Sequence, residues 1–289
     1  LQREAEAFRL ATATSAASSP PAQSLQPLAW AELQALHSGV PLADVEVWKR
    51  LQTQWQEATA LTGADAQSRW RSLVRLNGAI AQYRLEVVLA SGLDRNLDLP
   101  THQLAKAAAV GVPTLVDRLA DAADLALLSG VGNAGNAPTL DSVRHAADAQ
   151  ALARDAYLSL SRDMVRLQTM GDWPKLGAAS ERALATAAAL LAVTDAALAI
   201  EPRPTASQID IAARAALVEL GRFEAELLAS LDGLLTQRQS EARAQMLSLA
   251  AAVGLLLASG LYLLVGFHRV MAGGLRMLSS EVRRMAQGD

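Results

Sequence analysis

The chain contains no cysteine, which excludes a disulfide framework, a thiolate nucleophile and a cysteine-based metal site together. Aromatic residues are scarce too, with 5 Trp, 3 Tyr and 3 Phe in 289 residues. The hydrophobic share of 51% is therefore carried largely by Ala and Leu, a composition that favours helix over sheet. No segment of useful length alternates apolar and polar residues with the two-residue period of a strand. Charge of neither sign dominates: 26 Lys and Arg face 29 Asp and Glu, a net −3 made up of −5 over residues 1 to 267 and +2 over residues 268 to 289. A mildly acidic body without clustered Lys and Arg excludes nucleic acid as an expected partner.

Catalytic patterns are missing as well. His37, His102, His145 and His268 stand singly, with no second ligand at metal-binding spacing. The glycine-rich stretch GVGNAGNAP, Gly130 to Pro138, has no following Lys-Ser or Lys-Thr and reads as a loop. No G-x-S-x-G motif occurs, and the carboxylates are spread along helix faces where solvation accounts for them. Neither enzyme activity, nor a cofactor, nor a metal is expected of these residues. Trp30, Trp48, Trp55 and Trp70 fall in the first quarter of the chain, and Trp48 and Trp55, seven apart, share a helix face. They form a packing stripe or, alternatively, an aromatic wall of a ligand pocket.

What the sequence does contain is a series of long helix-forming runs between Pro and Gly clusters. The breaks fall at Ser18 to Gln23, His37 to Pro41, Gly63, Ser91 to Pro100, Gly130 to Pro138, Gly171 to Pro174 and Glu201 to Thr205. Between them apolar residues recur at three and four: Leu85, Val88 and Leu89; Leu115, Leu119, Leu125 and Leu128; Leu158, Val165 and Leu167. The plainest stripe is Leu220, Phe223, Leu227, Leu231 and Leu234, inside a run that spans about 60 Å from Ala206 to Gln245 at about 1.5 Å per residue. Thr139 and Asp141 are expected to open one helix, and Pro174 to sit in the first turn of another. Pro113 lies inside a helical pattern beside Gly111, so a kink or break is expected near Gly111. The predicted fold class is all-α: an elongated antiparallel helical bundle, with one transmembrane helix continuing into a coiled-coil-like helix.

The transmembrane segment is Met246 to Phe267, 22 residues without a charge, where about 20 suffice to cross a bilayer. Arg238 and Arg243 precede it, whereas Arg269, Arg276, Arg283 and Arg284 follow, so the carboxyl side is expected in the cytoplasm. Tyr262 and Phe267 lie toward that interface. Ala250, Gly254 and Ala258 share a face on which two helices can approach closely, although an Ala-rich chain places small residues so by chance about as readily. The chain starts at Leu1 without Met or a signal-peptide pattern and stops within a helical pattern, so it is expected to be part of a longer protein. A large outer domain with its carboxyl end inside further implies an earlier span before Leu1.

Two stretches carry a family resemblance. After the span, FHRVMAGGLRMLSSEVRRMAQGD places Leu275, Leu278, Val282 and Met285 at 3-4-3 spacing and closes on Gly288-Asp289, which resembles the first helix of a HAMP relay domain. Gly274 stands where such modules usually have Pro. From Leu73 to Leu127, Ser91-Gly92-Leu93 and the loop Asp94 to Asp98 resemble the all-helical outer sensor of proteobacterial methyl-accepting chemotaxis proteins. There, Arg118-Leu119 is followed by Ala120 in place of the family's Pro.

The resemblance implies a transmembrane signal-transducing receptor of the chemotaxis type in the bacterial inner membrane. Residues 1 to 245 would be a periplasmic sensor, 246 to 267 the span and 268 to 289 the start of HAMP. The expected partners are a second copy of the chain, the lipid bilayer, a small-molecule or periplasmic-protein ligand, and cytoplasmic signalling proteins. The same input half also serves sensor histidine kinases and diguanylate cyclases, and a membrane-anchored scaffold without a ligand is a further alternative. Candidate ligand residues are the polar loop Asp94, Arg95, Asn96 and Asp98, with Arg84 and Arg118 as guanidiniums suited to an anion. Leu275, Leu278, Val282, Met285, Gly288 and Asp289 are the candidate relay residues.

Overall fold

The computed structural model describes residues 27–39, 44–60, 66–91, 98–127, 140–171, 173–199 and 204–287, and of 27–28, 66–67, 69–70 and 272–287 the backbone alone. Among the described residues there is no strand, and the fold is all-α. The helices are α1 (Pro27–Gly39), α2 (Val45–Ala60), α3 (Ala66–Ser91), α4 (Leu99–Lys106), α5 (Val112–Ala126), α6 (Leu140–Met170), α7 (Pro174–Leu198) and α8 (Ala206–Gln287). A π-helical segment, Ala107–Gly111, joins α4 to α5. Contacts group the chain into two units, Leu1–Asp232 and Gly233–Asp289.

Helix ends fall where the chemistry of their termini places them. The Glu46 amide donates to Asp44 Oδ1 at 2.7 Å, so the side chain ahead of α2 takes up one of its unpaired first-turn N–H groups. Thr205 and Gln208 open α8 with a reciprocal capping box: the Gln208 amide donates to Thr205 Oγ1 at 3.3 Å, and the Thr205 amide to Gln208 Oε1 at 2.8 Å. Pro174 is the first residue of α7, where its missing N–H costs nothing, and Asp141 lies in the first turn of α6. A side chain on Gly171 would stand 2.8 Å from Trp173 Nε1, so the turn before α7 closes only because that position has no Cβ.

Within the first unit, neighbouring helices pack antiparallel. Glu57 meets Arg75, and farther along the same pair of helices Arg50 donates to Gln82, so α2 and α3 run oppositely. Lys106 Nζ reaches Asp163 at 3.0 Å, and Gly111 faces Leu160, which aligns the α4–π–α5 rod against α6. Between α6 and α7 the register is fixed by a buried polar knot. Gln150 Nε2 donates to the Leu191 carbonyl at 2.8 Å, and its Oε1 accepts the Thr194 hydroxyl at 2.8 Å. Arg154 pairs with Asp195 just outside the knot. Displacing α7 by one residue would leave the Gln150 amide buried and unpaired, a desolvation penalty of about 1–3 kcal/mol.

Alanine supplies much of the core, as at Ala146, Ala149 and Ala153 on α6 and Ala179, Ala183 and Ala187 on α7, so the interiors are filled by close helix approach. On α8, Leu220, Phe223 and Leu227 are fully buried and Leu231 nearly so, as the stripe in the sequence predicts, while its last member Leu234 is half-buried. Two other stripes are misplaced in phase. Leu85, Leu89, Leu158 and Val165 are exposed, Val88 is half-buried and only Leu167 of these positions is buried; α3 buries Leu73, Leu76, Ile80 and Tyr83, and α6 buries Leu160 and Met164 beside Leu167. Two positions along a helix are about 200° apart, so Leu158 and Leu160 belong to opposite faces, and only the neighbouring helices decide which one is covered.

Among the described residues, two helices are long and apolar enough to cross a membrane, α7 and the Ala206–Met271 part of α8. The first turns Leu176, Leu190 and Leu191 into the core and carries the Asp195 ion pair, which makes it a core helix. In α8 every residue from Met246 to Phe267 is exposed, and no side chain among the described residues covers it.

Candidate functional site

Pro113 generates the local geometry on which the site is built. It has no N–H to give the carbonyl of Ala109, so a regular α-helix cannot pass through this point. The expected break takes the form of a π segment: the Val112 amide bonds to the Ala107 carbonyl, five residues back. In an α-helix that donor would serve Ala108. The Ala108 carbonyl is served by Arg84 Nη2 of α3 at 3.1 Å, and the same guanidinium nitrogen lies 2.5 Å from Glu224 Oε1 on α8. Arg84 therefore ties three elements together, with its side chain 27% and that of Glu224 13% exposed.

Beside this tie lies a cavity of about 370 Å³ lined by Leu33 of α1, Leu51 of α2, Ile80, Tyr83, Arg84, Val87 and Val88 of α3, Ala105 of α4, Ala108 and Ala109 of the π segment, and Leu228 and Leu231 of α8. Its volume falls in the range of small-molecule sites, roughly 300–1,000 Å³. The α4–π side of the cavity is lined by the methyl groups of Ala105, Ala108 and Ala109.

Tyr83 joins the cavity to an aromatic cluster. Its hydroxyl shares a 3.1 Å hydrogen bond with His37 Nδ1, and the His37 ring stacks on Trp48 at 4.0 Å. Trp30 lies parallel to Trp48 and Trp55, with ring centres 5.6 and 4.9 Å apart. The tryptophans thus pack on one another, as a packing stripe should, and the aromatic ring at the cavity is Tyr83; the side chain of Trp70 lies outside the described residues. Burial raises the Tyr83 pKa above its usual 10.0, because the phenolate would lose hydration there.

Of the residues singled out in the sequence, Arg84 is at the cavity, paired as above. Arg118 lies on α5 beside Asp121 at 3.7 Å and does not line the cavity. Asp98 precedes α4, exposed, while Asp94, Arg95 and Asn96 lie outside the described residues. The backbone of Leu275, Leu278, Val282 and Met285 belongs to the last turns of α8; Gly288 and Asp289 lie outside the described residues. Sequence reasoning missed Glu224, Ala105 and Ala108. Pro113 was the available signal: a proline inside a helix releases carbonyls, and a nearby Arg is a natural donor to one. Among the described residues no three His, Asp or Glu side chains gather as a metal site would require.

Comparison with known protein families, with curated proteins and with solved structures gave no significant match.

Two outcomes follow for this site. Arg84→Ala should destabilise the bundle by about 2–3 kcal/mol, since it removes the hydrogen bonds that Arg84 gives to the Ala108 carbonyl and to Glu224. A double-mutant cycle with Glu224→Ala should show about 1 kcal/mol or more of coupling in urea unfolding followed by Trp fluorescence; strictly additive effects would rule out the tie. Tyr83 has a folded pKa above its unfolded one, so its contribution is complete below pH 10 and is lost as the pH rises from 10 through the folded value. Unfolding free energy should fall across that alkaline window, and Tyr83→Phe should flatten the fall.

Proposed function

We propose that this chain is the sensing and membrane-crossing part of a bacterial signal receptor of the chemotaxis type. One observation carries the reading. A single helix, α8, contains the buried stripe Leu220 to Leu231, the exposed charge-free segment Met246 to Phe267 and the backbone of the 3-4-3 heptad positions Leu275 to Met285. A run of 22 exposed apolar residues is stable only when hydrocarbon covers it, and at about 1.5 Å per residue it spans about 33 Å, close to the thickness of a bilayer core.

The arginine excess after the span orients the carboxyl end to the cytoplasm and the bundle to the periplasm of an inner membrane. Heptad positions at that end need a partner helix, so the receptor works as a homodimer and hands its signal to cytoplasmic proteins through a HAMP-like relay. Its own residues bind and transmit; they catalyse nothing. A ligand acts by favouring one of two helix arrangements, and about 1.4 kcal/mol of differential affinity changes their ratio tenfold.

Because the native sequence is free of cysteine, single substitutions report topology cleanly. In cells with a permeabilised outer membrane, Ser240→Cys should react with a membrane-impermeant maleimide and Ser279→Cys only after the inner membrane is opened; the reverse pattern would overturn the orientation. One alanine inserted after Gln245 rotates everything below it by about 100°. In a chimaera with a chemoreceptor's cytoplasmic half, that insertion should lock or invert kinase control, and an unchanged output would sink the relay.

A further inference from the structure

We infer that the cavity between α3, the π segment and α8 is a binding site for a small, uncharged, predominantly apolar molecule. The inference rests on the receptor reading only for the consequence of binding.

The chemistry of the walls selects the ligand class. Apart from the Tyr83 hydroxyl and Arg84, every lining side chain among the described residues is aliphatic. The one cation at the wall is held against a carboxylate, with Arg84 on Glu224 at 2.5 Å, and also donates to the Ala108 carbonyl. To an incoming molecule this wall is an ion pair of no net charge. A carboxylate or phosphate in the cavity would have to displace Glu224 from Arg84 and leave one of the two anions buried, so an anion is disfavoured although an arginine is present. A cation would face the guanidinium. An alkyl chain or a small ring system loses little hydration on entry and gains contact with aliphatic methyls on several sides. The size also suits this class: an aliphatic cavity of about 150 Å³ accepts one benzene, and this one measures about 370 Å³.

The position of the site gives binding a consequence. Ala105 and Ala108 belong to the helix that Pro113 has already forced out of regular hydrogen bonding, and Leu228 and Leu231 belong to α8. A guest touching both walls sets the spacing between the π segment and α8, the two elements that Arg84 ties.

The test uses the whole chain in lipid nanodiscs, titrated with n-octanol and with octanoate, with empty nanodiscs as the reference for partitioning. One octanol should bind per chain, at least tenfold more tightly than octanoate. Ala105→Phe and, as the milder filling, Val88→Phe should each weaken octanol binding at least tenfold while the helical circular dichroism stays that of the native chain. Glu224→Gln should strengthen octanoate binding severalfold by removing the negative charge that Glu224 sets against the Arg84 guanidinium. Octanoate binding as tightly as octanol, octanol binding that persists in a folded filled variant, or no octanol binding above the empty discs would each overturn the assignment. Failure here with a phase-sensitive insertion at Gln245 removes the ligand class and leaves the receptor; octanol binding with an insensitive insertion removes the receptor and leaves the site.

Discussion

The carbonyl of Ala108 has to find a donor outside its own helix, and the centre of the bundle is arranged around that need. Pro113 withholds an N–H, the Val112 amide turns to Ala107, and Ala108 is left facing α3. Burying that oxygen without a partner would cost about 1–3 kcal/mol. Arg84 supplies the donor, but a guanidinium in a low-dielectric wall needs an anion of its own, and Glu224 of α8 provides it. A single covalent peculiarity in the sequence is thus propagated to three helices.

A cavity lies beside the same defect. A bundle built largely of Ala and Leu closes its interior by bringing helices together, as α6 and α7 do over their alanines and around the Gln150 knot. Around the π segment close approach is limited, since the guanidinium of Arg84 stands between α3, the Ala108 carbonyl and α8. The alanine methyls at 105 and 108 then border space where a longer side chain would fill it. Rigidity is supplied beside the cavity by the aromatic cluster, whose tryptophan, histidine and tyrosine rings fix α1 against α2 and α3.

Alpha-helical continuity gives this interior a route outward. In α8 the residues that close the core and those that form the charge-free run belong to one hydrogen-bonded rod, started by the Thr205–Gln208 capping box. A helix of this kind resists bending and unwinding between its caps, because each local deformation breaks backbone hydrogen bonds. On the proposed reading, rotation or translation at one point along it would be felt at the next. This is the physical content of the receptor proposal.

The sequence by itself determined the class and the punctuation: Pro and Gly clusters ended helices at Gly39, Ser91, Met170 and Leu198 as expected, and the deep core stripe of α8 was legible from Leu220 to Leu231. It also located the charge-free run and the irregularity at Gly111, because backbone chemistry and hydropathy are local properties. The capping box has a local signature as well, in Thr205-Ala206-Ser207-Gln208. Tertiary structure alone decided which face of α3 and of α6 is buried, since Leu85 and Leu158 lie on faces as helical in period as those of Tyr83 and Leu160. It alone paired Arg84 with Glu224, 140 residues away, and made that arginine part of a neutral wall. Long-range partners and the space between helices depend on packing geometry, which no local spacing encodes.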